Sequence, residues 1–254
     1  MKSVKLSLLA ALLLGAVACQ KSNTLSPAKS TTPTVSGSMT TDDAADIAAG
    51  AVSENSNGVA QMALDATLNA SAIWGLHAKC GTVHSDTISR QSSSGSQYSF
   101  DYKLTYNFMV DCNSSSQPDS LSSNLTYSGA YSGPNMSSTN SGSSIFGVGG
   151  LLSTDTAFVI NGQYKRAGSF ASKIDTASHG NTSVAIAITG LTLKKPGKAI
   201  ESGSATISIT GSTPRRGSFS YTGTIVFNGN GTATLTINAV VYTINLYNGW
   251  RQRI

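Results

Sequence analysis

The sequence predicts a mainly β protein with an N-terminal helical segment (α+β). One large curved antiparallel meander sheet packs on the helix, and a β-sandwich is the alternative. Three observations carry this expectation. Between Tyr98 and Val110, Tyr98, Phe100, Tyr102, Leu104, Tyr106, Phe108 and Val110 alternate with polar residues, and only Met109 breaks the polar side. The last third of the chain repeats that period of two, with short turns between its runs. Ahead of both, Ile47, Ala48, Ala51 and Val52, and then Val59, Met62, Ala63, Ala66 and Ala70, recur at helical spacing.

The chain begins with the basic residues Lys2 and Lys5. Leu6 to Ala18 then holds 13 uncharged residues. That is too short for a spanning helix, which needs about 20 residues, and it has the proportions of a secretory h-region. Residues 1–18 are therefore read as a signal peptide. Ala16-Val17-Ala18 supplies the small residues of a cleavage site, and Cys19 follows directly. This arrangement resembles the lipobox of bacterial lipoproteins, although Ala16 stands where that family usually has Leu. The resemblance implies that Cys19 carries lipid, palmitate included, and becomes the mature N-terminus. It also implies that the chain is held on a membrane. Gln20 stands where Asp would resemble an inner-membrane retention signal, so the expected address is the outer membrane of the cell envelope. Ala-Val-Ala also reads as an ordinary A-x-A site, which would leave Cys19 a bare thiol.

Residues 19–40 form the lipidated cysteine and a tether. The stretch "KSNTLSPAKSTTPTVSGS" has no periodicity, and as a coil it spans roughly 25 Å. Residues 41–254 form a single β-rich domain with its helical segment at 41–73. Thr41 is a plausible N-cap there, and Asp42 and Asp43 suit the positive end of the helix dipole. The alanine face of the second helical stretch, Val59 to about Ile73, suits close packing on a sheet.

Strands are expected at Tyr98–Val110, Leu121–Tyr131, Thr156–Arg166, Thr182–Leu193, Ser204–Thr210, Gly217–Phe227, Thr232–Ile237 and Val240–Tyr247. The Gly/Ser/Asn-rich stretch from Ser132 to Gly150 reads as a long loop. Gly190 and Gly223 fall inside strand patterns and suggest bulges or bends. Parity and turn length set Leu235 opposite Tyr242, Ala233 opposite Ile244, Ile225 opposite Ala233, and Ile209 opposite Tyr221.

The chain has 17 Lys+Arg and 12 Asp+Glu. Without residues 1–18 the balance is 15 against 12, or +3. That charge is too small and too scattered for a nucleic-acid protein. Cys80 and Cys112 remain after Cys19. In an oxidising envelope they read as a disulfide, whose closure stabilises by roughly 3–4 kcal/mol on chain-entropy grounds. Cys112 shares the parity of the aromatic face and is expected to point into the core. An integral outer-membrane barrel would instead turn that face, and Cys112, to lipid.

His77, Cys80 and His84, with Asp86 beyond, lie close in sequence, but zinc needs Cys80 as thiolate. His179 sits in a turn-like stretch. No nucleophile elbow, phosphate loop or calcium loop occurs. No catalytic residue, metal or cofactor is expected. Arg215 and Arg216, and likewise Arg251 and Arg253, read as solvated cations. The aromatic row reads as core rather than as a carbohydrate platform.

Taken whole, the chain resembles the uncharacterised β-rich lipoproteins of Gram-negative envelopes: lipobox, Ser/Thr tether, short helical region, and a long sheet ending in "GTATLTIN…YTINL". That resemblance implies an outer-membrane-anchored protein with a non-catalytic binding or structural domain. The membrane is then a partner through the N-terminal lipid, and an envelope polysaccharide, lipid or protein is a possible further one. A carrier of an apolar ligand on the concave sheet is the alternative.

Overall fold

The computed structural model describes residues 39–76, 79–195 and 199–254, with the backbone alone for 73–76. The expected signal peptide, Cys19, most of the expected tether and His77 lie outside the described residues.

Two helices come first, α1 (Thr41–Val52) and α2 (Val59–Leu76). Thr40, not Thr41, caps α1. Its hydroxyl accepts from the Asp43 N–H, and the Asp43 carboxylate accepts from the Thr40 N–H, a reciprocal capping box. α1 is buried on nearly its whole circumference: Ala44, Ala45, Ala48, Ala49, Ala51 and Val52 are at most 1 % exposed. A helix apolar on all sides must be enclosed. In α2 the predicted face of Val59, Met62, Ala63, Ala66 and Ala70 is buried.

The strands are β1 (Val83–Gln91), β2 (Ser99–Cys112), β3 (Pro118–Ser132), β4 (Met136–Gly149), β5 (Ala157–Ser172), β6 (His179–Lys194), β7 (Ile200–Thr213), β8 (Gly217–Phe227), β9 (Thr232–Ile237), β10 (Val240–Asn245) and β11 (Arg251–Arg253). They form one open antiparallel sheet of 11 strands in sequence order. The single-sheet expectation holds, and the sandwich is not formed. Along each long strand one face is buried and the other meets solvent.

The sheet curls around the helices. The Asp46 carboxylate of α1 accepts from Asn135 in the β3–β4 turn at 3.2 Å and from Arg251 of β11 at 2.8 Å. On a flat sheet β4 and β11 would lie roughly 34 Å apart, seven steps of about 4.8 Å. Bulges in β3, β6 and β7 relieve the bending. Glycines on the concave face let aromatic rings lie flat across the neighbouring strand. Gly129 pairs with Tyr102, and a Cβ on Gly129 would sit 2.3 Å from that ring. Gly142 pairs with Tyr127 in the same way, at 2.5 Å.

This packing explains a misread segment. Ser132 to Gly150 is not a loop, because most of it is β4. Its inward residues include Ser138, Asn140, Gly142 and Ser144, which carry little apolar signal. The Tyr127 ring and the helices supply the missing bulk.

Three of the four predicted cross-strand pairs are present: Leu235 with Tyr242, Ala233 with Ile244, and Ile209 with Tyr221. Ile225 faces Leu235 rather than Ala233. The β8–β9 connection is longer than a three-residue loop, and the register moves by two with parity kept. Gly190 does sit in a bulge, at φ +60°. Gly223 does not. It pairs regularly with Ile207 and Ile237, and a Cβ there would lie 2.4 Å from the Thr236 carbonyl oxygen.

Candidate functional site

Cys80 and Cys112 form a disulfide with a Cα–Cα distance of 5.7 Å. The bond ties the α2–β1 connection to the end of β2. Cys112 is half-buried and packs against the core, as its parity suggested, while Cys80 is exposed, so the bridge lies at the rim of the sheet. Opposite Cys112, β3 carries an extra residue, Asp119, between the pairs Asp111–Ser120 and Cys112–Pro118. Alkylation mass spectrometry without reduction is expected to find both cysteines blocked in protein recovered from its native compartment. Two free thiols would contradict this.

The bridge takes Cys80 out of any thiolate site. His84 stacks on Phe108, its cross-strand partner, with ring centroids 5.3 Å apart. His179 is exposed and faces the Thr176 carbonyl oxygen. Among the described residues no group of three His, Cys, Asp or Glu is placed to hold a metal. Tyr102 and Tyr106 of the aromatic row are at most 4 % exposed, and they lie under the helices.

Sequence reasoning missed the polar layer between helices and sheet. Four arginines reach into it from different parts of the sheet. Arg90 of β1 donates to Asp65 of α2 at 2.6 Å. That carboxylate also accepts from Tyr106 and from Gln61. Arg216, in the β7–β8 turn, meets Asp43 of α1 at 3.5 Å and Asp175 at 2.7 Å. Arg251 grips Asp46 with two bonds, of 2.8 and 3.0 Å. Arg216 and Arg251 are only 15 % and 13 % exposed at their side chains. They are structural ion pairs rather than the solvated cations their sequence context suggested. The planar guanidinium suits such paired, semi-buried sites better than a lysine ammonium does.

These contacts shift nearby groups. The Ala177 N–H, then the Ser178 hydroxyl and Arg216, hold the Asp175 carboxyl below its ordinary range. Burial, with a contribution from Asp65, pushes the Tyr106 phenol well above its usual value. Burial, followed by the bond to Asp42, pushes Tyr242 up to about 12.

The fourth arginine differs. Arg166 of β5 is 7 % exposed. It donates to the Gly50 carbonyl at the end of α1 and to the Ser138 hydroxyl, both at 2.6 Å. Three buried tyrosines, Tyr102, Tyr127 and Tyr164, form a layer beside it. Tyr102 and Tyr164 donate to the Ser56 and Asn57 carbonyls of the α1–α2 turn. A cavity of about 30 Å³ adjoins Arg166, lined also by Asp46, Ile47, Met136, Asn140 and Phe170.

Fold and interior together define a class: an open antiparallel meander coiled around a buried helix and held to it by arginine–aspartate pairs. The chain matches no protein-family model, no curated protein and no solved structure.

Proposed function

We propose that this chain is an outer-membrane lipoprotein, anchored through lipid on Cys19. Its β-domain is a non-catalytic structural or binding module of the cell envelope. One observation carries the reading. Of the three cysteines in the chain, two close a disulfide in the folded domain. Such a bond suits an oxidising compartment. The third, Cys19, directly follows the apolar N-terminal run. The polar layer supports the non-catalytic part, because the aspartates of both helices are engaged in holding helix to sheet.

The carrier reading is less favoured. A ligand pocket occupies about 300–1,000 Å³. The cavity beside Arg166 measures about 30 Å³, buried helix fills the concave face, and the larger hollows, of about 510 to 740 Å³, are open surface grooves rather than enclosed pockets. The surface left for a partner is the Ser/Thr-rich convex face.

In this reading Cys19→Ser abolishes palmitate labelling and moves the protein from the membrane to the soluble fraction. Unchanged labelling and fractionation would refute the anchor.

A further inference from the structure

We infer that the cavity beside Arg166 is a binding site for one small monovalent anion of halide size. The argument starts from charge. An ionised group out of water needs a partner of opposite sign or a strong hydrogen-bonding shell. Arg90, Arg216 and Arg251 all meet aspartates. Arg166 is as deeply buried and has no carboxylate within ion-pair distance among the described residues. The tyrosines beside it do not supply the charge. Burial raises the pKa values of Tyr102, Tyr127 and Tyr164, so they are neutral phenols near pH 7. The C-terminus of α1, reached through Gly50, offers roughly half an elementary charge. Asp46 lines the same cavity, but Arg251 and Asn135 occupy its oxygens.

The second observation is Asn140, 6 % exposed and lining the cavity. Its Oδ1 is buried without a partner, while its Nδ2 and Arg166 Nη2 both donate to the Ser138 hydroxyl. An amide is oriented by its network. Turned over, its oxygen accepts from the Ser138 O–H and completes a chain from Arg166 through Ser138 to Asn140. The amide nitrogen then takes the place of the unpartnered oxygen, a donor without an acceptor on a residue that lines the cavity with Arg166. Two residues with donor groups, one of them carrying an uncompensated positive charge, thus line a space for about two waters. Chloride fits that volume and sign, whereas a phosphate or a lipid headgroup is too large.

The test is thermal unfolding of the full chain in detergent, with chloride exchanged for gluconate at constant ionic strength. Gluconate is too large for the cavity. The melting temperature is expected to rise saturably with chloride, by roughly 5–10 °C once chloride exceeds its dissociation constant about 100-fold. Bromide is expected to substitute for chloride. Asn140→Asp places a carboxylate beside Arg166 and is expected to remove the chloride dependence while leaving the protein folded. Arg166→Met removes the charge and is expected to do the same. A melting temperature indifferent to chloride overturns the site, because α1 and the main-chain carbonyl then balance Arg166 alone. An equal chloride response in the wild type and in a folded variant also overturns it, since the effect is then a general one of salt.

Discussion

Asp65→Ala is expected to destabilise the domain by about 3–5 kcal/mol, the usual effect of removing one partner from a buried ion pair. Asp65 is 4 % exposed and accepts from Arg90, Tyr106 and Gln61. It is the point at which α2 is held to β1 and β2. Removing it leaves the Arg90 guanidinium facing a phenol in a semi-buried pocket, where Nη1 already has no partner. The double variant Asp65→Leu with Arg90→Met removes both charges and fills the space. Its stability is expected to return close to that of the wild type, because burying two ions is itself costly. Urea unfolding checks both, with an unchanged m-value as evidence that the unfolded state is the same. A loss below about 1 kcal/mol for Asp65→Ala would mean that water reaches Arg90 and that the pair behaves as a surface one.

Leu235→Ala is expected to cost about 2–5 kcal/mol. Thr234→Ala, one residue away, is expected to cost less than about 0.5–1 kcal/mol. Leu235 has no exposed surface and lies between Ile225 and Tyr242 on the concave face. Thr234 points to the convex face and is half-buried only by its neighbours, among them Asn228, which donates to its hydroxyl at 3.1 Å. Equal costs at the two positions would mean that a second layer covers the convex face in solution.

Much of this architecture was legible in the residues. A period of two is a local property, since successive side chains on a strand point to opposite faces. The Tyr98–Val110 alternation and the β7–β10 meander could therefore be read directly, and parity kept the correct face inward even where the β8–β9 loop length was misjudged. Cys80 and Cys112 were legible from count and compartment. β4 was not, because its inward face is built of serine, asparagine and glycine. Those residues belong in a strand only when Tyr127 lies across Gly142 and Arg166 bonds Ser138.

The polar layer was illegible for a related reason. Asp42 and Asp43 read locally as helix-start residues, and Asp43 does complete the capping box of α1, while Asp46 carried no local signal. Their role in the layer depends on arginines more than 170 positions away, at 216 and 251. Residue order alone carried eight of the eleven strands, β2, β3 and β5 to β10, with the faces they bury, because those follow from contacts a few residues apart, whereas β1, β4 and β11 lack a clear apolar alternation. Only the tertiary structure decided how tightly the sheet coils. That depends on glycines meeting aromatic rings across strands and on bulges spread over several of them. The coiling in turn brings β11 to the β3–β4 turn, encloses α1, gives three arginines their aspartates and leaves Arg166 without one.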